Sequence, residues 1–179
     1  VGCGANVSIV DRDKELAAAL ISRMGCWEGC ATSVYADVLK KDTLEQAMEL
    51  SIKEFGPIDV LINAAGGNHP KATTSAELSF FDIPHDVFQS TLDLNLVGTV
   101  LPSQVIGRHM AENEQGVILN ISSMNAYRPL TRVPAYSAGK AAISNFTQWL
   151  AVHMAQEYSP KIRVNALAPG FFHTKQNHF

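Results

Sequence analysis

Tyr136 and Lys140 stand four residues apart in the run YSAGK, a spacing that sets both side chains on one face of a helix, one turn from each other. A phenol, with an ordinary pKa near 10, is a poor acid or base at neutral pH. An ammonium one turn away changes that, because its charge favours the phenolate and lets the tyrosine exchange a proton with a bound oxygen. Ser123 lies thirteen residues upstream of the tyrosine, in ILNISS, and its hydroxyl can donate to the same oxygen and stabilise negative charge developing on it. Together these types suit proton transfer at a carbonyl or an alcohol. Read singly, the tyrosine is a surface residue and the serine a buried one, so the case needs more than this one pattern.

Such chemistry needs a frame to hold it. Short β-branched or aliphatic runs alternate with longer helical periods, which argues for βαβ units around a parallel sheet buried on both faces. Strands are expected at 6–10, 32–36, 59–63, 116–121 and 163–167. Helix is expected at 13–24, with Leu16, Ala19, Leu20 and Arg23 spaced along one side. It is expected again at 43–55, with Leu44, Ala47, Met48 and Ile52 inward, before Gly56 and Pro57 close it. Residues 85–110 read as helix with a break near Pro102, and 135–157 as one long helix. The segment 66–83, rich in Gly, Pro, Thr and Ser, reads as a loop over one end of the sheet and a substrate lid; 124–134 has two prolines and no helical period.

Several more stretches fall in order along this frame. Asn95 stands in DLNLVG; Asn63, Ala64, Ala65 and Gly66 (NAAG) close a strand with small residues that let backbone approach a flat ligand; Asp37 and Val38 follow another strand; and APG ends the last one at Ala168, Pro169 and Gly170. With Ser123, Tyr136 and Lys140, this ordered set resembles the short-chain dehydrogenase/reductase family, over essentially the whole chain. The resemblance implies a Rossmann-like, doubly wound, three-layer α/β/α domain over residues 1–179 that binds NAD, or NADP. It also implies a catalytic tetrad of Asn95, Ser123, Tyr136 and Lys140, in which Asn95 holds the water linking Lys140 to solvent. Asp37 would bond the adenine amino group with Val38 packed nearby, the NAAG strip would lie beside the adenosine ribose, and Pro169, Gly170, Phe172 and Thr174 would hold the nicotinamide carboxamide, with Tyr136 and Lys140 also touching the cofactor. Thr174 is equally a loop-capping threonine. Asp11, at the end of the first strand, is placed to bond the ribose hydroxyls and repel a 2′-phosphate, although it serves equally as a helix cap and Arg12 beside it could accept a phosphate.

Bulk properties narrow the partners. A chain of 179 residues, 46% apolar and 17% charged, fits one globular domain, and a formal charge of −3 gives no broad attraction for nucleic acid or anionic membrane. Cys3, Cys26 and Cys30 form neither a CxxC pair nor a Cys/His cluster, so reduced thiols in a cytoplasmic protein are expected. Six scattered histidines give no metal spacing. No apolar run reaches the ~20 residues that span a bilayer, and no signal peptide is evident. A small molecule is the expected partner, with a homo-oligomer, dimer or tetramer, implied by the family.

Two family features are missing. There is no opening strand and no Gly-rich turn for a pyrophosphate, since Gly2 and Gly4 lead straight into a strand, and the chain stops at Phe179 before the family's closing elements. The sequence therefore reads as a piece of a longer polypeptide, with the first strand and the C-terminal end lacking. Loss of a central strand would leave its two neighbours with unpaired backbone groups. Three loop stretches, GGNHPKATT, SSMNAYRPLTRVPAY and PGFFHTKQN, are similar to the sugar-acid members of the family, the D-mannonate oxidoreductases or fructuronate reductases. In them Asn68, His69, Asn125 and Gln176 offer hydrogen bonds to substrate hydroxyls, and Lys71 or Arg128 offers a positive charge to a carboxylate. Another polyol, keto sugar such as a 5-keto-gluconate, or 3-oxoacyl substrate is the alternative within the fold; a non-catalytic nucleotide-binding scaffold is the alternative outside it.

Overall fold

In the computed structural model, which describes residues 1–24 and 29–172, five strands alternate with five α-helices. In chain order they are β1 (Val7–Asp11), α1 (Lys14–Arg23), β2 (Ala31–Tyr35), α2 (Lys41–Phe55), β3 (Val60–Asn63), α3 (His85–Leu92), α4 (Gly98–Glu112), β4 (Gly116–Ile121), α5 (Pro134–Glu157) and β5 (Ile162–Leu167). Cys26 lies outside the described residues, and Cys3 and Cys30 are exposed free thiols. Among the described residues no helix is long and apolar enough to cross a membrane.

All pairings are parallel, as crossover helices between strands require. The strands fall into two sheets: β1 pairs with β2, with Val7 opposite Ala31, and β4 lies between β3 and β5, with Val60 opposite Val117 and Gly116 opposite Ile162. Between the two sheets runs an apolar slot of about 720 Å³, lined by Val7 and Val10 of β1 and by Val60, Leu61 and Ile62 of β3, with Leu44 and Ile106 of the helices at its sides. The unpaired edges of β1 and β3 both border it, as expected for a sheet without its central strand.

Right-handed crossovers explain the layering. The chain steps from β1 to β2 in one direction and from β3 through β4 to β5 in the other, so α1 lies on the face opposite to α3, α4 and α5. On the crowded face Val34, Ala36, Leu44, Ala47, Val105, Ile106, Met110, Ile118, Leu150, Met154, Ile162 and Val164 form the core. The doubly wound layering is as expected, but alternate residues of β3, such as Ile62 at 58% exposure, face away from these helices and have no described helix over them.

The same reason corrects the inward stripe expected of α1. Asp13 caps this helix, its carboxylate accepting from the Glu15 and Leu16 amides, but Leu16 and Leu20 are 68% and 50% exposed and Ala17 is the buried residue. Among the described residues α1 packs chiefly on β2 and β1, which leaves these leucines outward. α2 keeps its expected stripe, with Leu44 and Ala47 buried and Met48 packed on the core.

The break expected near Pro102 occurs earlier, in a π-turn at Asp93–Val97, and Pro102 sits inside α4. Pro102 is the fifth residue of α4, so the carbonyl it cannot serve belongs to Gly98, where the wider turn has already displaced the ladder. That turn carries Asn95, and π-turns are concentrated at functional positions.

Candidate active site

The carboxyl ends of β3, β4 and β5 lie side by side and deliver three loops to one end of the sheet, where open α/β folds bind ligands. Asn63, the last residue of β3, is a brace: its side-chain amide donates to Asn120 Oδ1 at 2.9 Å and Ser103 Oγ at 3.0 Å, while Asn120 donates to Thr147 Oγ1 at 2.9 Å. These buried bonds tie β3 and β4 to α4 and α5. Ala64 and Ala65 follow at the slot's rim.

Beyond them Gly66 and Gly67 take φ values of 155° and 157°, a region open chiefly to glycine. The buried Asn95 pairs with Gly67 as one peptide pairs with another. Its amide donates to the Gly67 carbonyl at 2.7 Å and to the Thr91 carbonyl at 2.8 Å, and its Oδ1 accepts from the Gly67 N–H at 3.2 Å. A β-carbon added to Gly66 would stand 2.8 Å from Asn95 Oδ1 and 3.3 Å from Lys140 Nζ, so backbone, amide and ammonium meet there. Gly139 permits the same approach from α5, since its β-carbon would fall 3.0 Å from that of Asn95.

Lys140 is 4% exposed. Its Nζ donates to the Ile121 carbonyl at 2.7 Å and sits 5.6 Å from the centre of the Tyr136 ring, one turn earlier on α5. Burial pushes its pKa down from the ordinary lysine value to about 8, because a low-dielectric environment disfavours the charged form. The helix is pinned at this point: the Lys140 carbonyl accepts from Ser122 Oγ at 3.1 Å and from Ser144 Oγ at 3.2 Å, and the two hydroxyls are 2.7 Å apart. Ser123 is next to Ser122. Its Oγ accepts from the Asn125 N–H at 3.2 Å, which leaves the hydroxyl proton available for an incoming oxygen. The Ile121 carbonyl, Ser122, Ser144, Gly67 and Gly139 were not foreseen; the ISS run and the glycine inside YSAGK are the only sequence signals for them, and neither names its partner.

The remaining positions divide into three groups. Pro169 accepts from the Met124 N–H at 3.0 Å, which holds Pro169 and Gly170 beside the Ser123 loop, and Phe172 lies farther along this strip, largely exposed. Thr174 and Gln176, with His173 and Lys175, lie outside the described residues. Asn68 and His69 serve their own loop, Asn68 donating to Thr73 Oγ1 at 2.6 Å and the His69 ring accepting from the Lys71 N–H at 3.1 Å. Asn125 is buried, and its Oδ1 has no hydrogen-bond partner among the described residues, a costly state that an approaching donor would relieve.

Asp11 and Asp37 stand apart from these groups, at the ends of β1 and β2. Asp37 lines an open depression of about 830 Å³ with Arg12, Asp13, Lys14, Glu15 and Tyr35, and the Lys14 ammonium lies 5.4 Å from the centre of the Tyr35 ring. Asp11 Oδ1 accepts from the Asp13 N–H at 2.8 Å, and Asp37 Oδ1 from the Leu39 N–H at 3.0 Å. Both carboxylates thus shape their turns while remaining at the surface. Val38 reaches toward α4, where a β-carbon on Gly98 would lie 3.0 Å from its Cγ2.

Known proteins resemble this chain in sequence and in fold. An uncharacterized oxidoreductase, UxuB, of Bacillus subtilis is 46% identical over 183 residues, covering 98% of this chain and 65% of its own length. The 5-keto-D-gluconate 5-reductase of Escherichia coli K12 is 30% identical, covering 96% of this chain and 64% of its own length. The crystal structure of a candidate D-mannonate oxidoreductase from Haemophilus influenza, with NAD bound, superposes with a TM-score of 0.88 at 39% identity, over 97% of this chain and 65% of that one. A 3-ketoacyl-(acyl-carrier-protein) reductase from Brucella melitensis, complexed with NADH, gives 0.79 at 33% identity, over 94% and 66%. The chain thus spans about two thirds of the length of these relatives. The short chain dehydrogenase model matches residues 1–178, and with the order of strands, loops and tetrad positions set out above, the chain belongs to that family.

Proposed function

We infer that the polypeptide carrying this chain is an NAD(P)-dependent oxidoreductase that interconverts a secondary alcohol and a ketone, with a sugar acid, D-mannonate or D-fructuronate, as its substrate pair. The observation that carries the reading is the buried Lys140 ammonium, fixed by the Ile121 carbonyl one helical turn from Tyr136. The sugar-acid assignment is supported by likeness to the Haemophilus protein and to the 5-keto-D-gluconate reductase, and by the unpartnered Oδ1 of Asn125, which suits a hydroxyl donor.

The residues present fit a dinucleotide. Gly66 brings bare backbone up against Asn95 and Lys140, where a β-carbon would clash, and the Asp11 and Asp37 carboxylates stand at the strand ends where ribose hydroxyls and an amino group need acceptors. Pro169, Gly170 and Phe172 would flank the nicotinamide end. When bound, the nicotinamide supplies or takes the hydride at the substrate carbon. The chain's own groups handle the oxygen. Ser123 donates its free hydroxyl proton to it, and Tyr136 gives or takes the proton as the carbonyl becomes an alcohol or the reverse. Lys140 favours the phenolate by its charge, and Asn95 holds Gly67, the neighbour of Gly66, in place. The reading includes a homo-oligomer: Trp149 and Val152 of α5, with Tyr158 just past its end, leave an apolar, aromatic strip exposed.

The test is nicotinamide absorbance at 340 nm, a wavelength set by the cofactor, with a panel of hexonates, keto-hexonates, hexitols and 3-oxoacyl thioesters. Turnover of D-fructuronate or D-mannonate is expected, and turnover confined to thioesters would overturn the sugar-acid assignment. A second expected result concerns Asp11→Ala. Removing a carboxylate that would repel a 2′-phosphate should shift the NAD:NADP ratio of kcat/KM toward NADP by about tenfold, the size of one charge–charge contact near a surface. An unchanged ratio removes Asp11 from the ribose site.

A further inference from the structure

We propose that Arg128 and Arg132, on the loop between Ser123 and Tyr136, are specificity-determining residues that bind the carboxylate of the substrate, with Arg132 the principal one. The proposal rests on the oxidoreductase reading above and assigns a role to side chains outside the tetrad.

The chain as a whole carries −3, yet from Gly116 to Gln156 there is no Asp or Glu, and this stretch holds Arg128, Arg132 and Lys140. Both arginines are exposed, and the ion pair found among the described residues, Lys41–Glu45 at 3.1 Å, lies elsewhere, on α2. The facing loop, 66–83, holds Glu77 and Asp82 with Lys71, and each carboxylate accepts from a serine of its own turn, Glu77 from Ser75 Oγ at 2.8 Å and Asp82 from Ser79 Oγ. Arg128, Arg132 and Lys71 outnumber these two carboxylates, so the two loops keep a net positive charge on a chain that carries −3 overall. Such a local excess attracts anions to that spot.

Arg128 follows the turn that begins at Ser123, its N–H donating to the Met124 carbonyl at 2.9 Å. Arg132 lies where the two loops join, its carbonyl accepting from the Thr74 N–H at 2.9 Å. It immediately precedes Val133, the N-cap of the 24-residue α5, which makes no side-chain cap bond. The positive end of that helix dipole is therefore not offset by a capping side chain, and it adds to the guanidinium field. Guanidinium binds carboxylate through two parallel N–H bonds, so it fixes orientation as well as charge. A ligand whose reacting oxygen sits between Ser123 and Tyr136, and whose acid group reaches this loop, has its length and polarity specified together. A neutral polyol gains nothing from the pair.

The experiment uses the full polypeptide, with D-mannonate and the matching neutral hexitol, D-mannitol, as probes. Binding of each to the NAD-loaded protein is measured by calorimetry, and turnover by absorbance. Arg132→Gln should raise the mannonate KM and Kd at least tenfold with kcat changed less than threefold, and should leave mannitol parameters unaltered. Arg132→Lys should recover part of the loss. Arg128→Gln should act in the same direction by a smaller factor, and Arg163→Gln, at the opposite end of β5, should change nothing. Raising salt should weaken mannonate and spare mannitol. No mannonate binding, or binding and KM indifferent to Arg132→Gln, overturns the proposal. Mannonate binding that depends on Arg132 but leads to no turnover upholds the subsite and overturns the oxidoreductase reading instead.

Discussion

Tyr136→Phe should lower kcat/KM by about 10³-fold while NAD(H) affinity stays within about twofold of the native value. The substitution removes one oxygen and keeps the ring, so the ring's packing beside the Lys140 ammonium, 5.6 Å from its centre, survives. Among the described residues, Ser123 Oγ already accepts from the Asn125 N–H and Asn95 is committed to Gly67 and Thr91, so neither is placed to take over that proton transfer. The loss should fall on kcat rather than KM, because proton transfer belongs to the chemical step. Steady-state turnover with cofactor titration decides the matter, and a variant retaining a tenth or more of native turnover would remove Tyr136 from the proton path.

Lys140→Met should be as damaging to turnover, again by about 10³-fold, and should change the pH dependence of stability in a defined direction. Burial lowers the Lys140 pKa from 10.5 to about 8, so between these values the unfolded chain holds a proton that the folded chain has released. Stability must then rise with pH across that window, and the gain is lost as pH falls through 8. Methionine fills the same volume without a charge and cannot contribute to this slope. Thermal melts at several pH values from 7 to 11 should therefore show a difference between native and variant that narrows as pH climbs toward 10.5 and is flat beyond it. Parallel melting curves over the whole range would mean that the ammonium is hydrated, and its role in favouring the phenolate would weaken with it.

The two effects are linked by one structural fact. The site keeps a lysine where burial penalises its charge, and it does so with the Ile121 carbonyl and the pinned turn of α5 around Ser122 and Ser144. A group held at such a cost is characteristic of functional positions. Asn95 shows the same pattern from the other side. Its carboxamide is spent on backbone, and the bonds it makes fix Gly67 in a conformation that other residues rarely adopt.

The sequence by itself determined the local order. Strand and helix periods placed β4 at its observed bounds and α5 within one residue of them, because both are long, strongly apolar and bounded by loops without a helical period. The i, i+4 relation of Tyr136 and Lys140 is a property of helix geometry, so it needed no tertiary knowledge. The tertiary structure decided what each group touches. Only the crossover handedness, which puts α1 on one face and α3, α4 and α5 on the other, shows that Leu16 and Leu20 face outward and that one side of β3 is open. The π-turn, rather than Pro102, breaks the helix because Asn95 must reach Gly67, a contact 28 residues away in sequence that no local period encodes. Chain order fixes spacing, whereas desolvation of Lys140 and the bonds of Asn95 arise only when distant segments exclude water from one another.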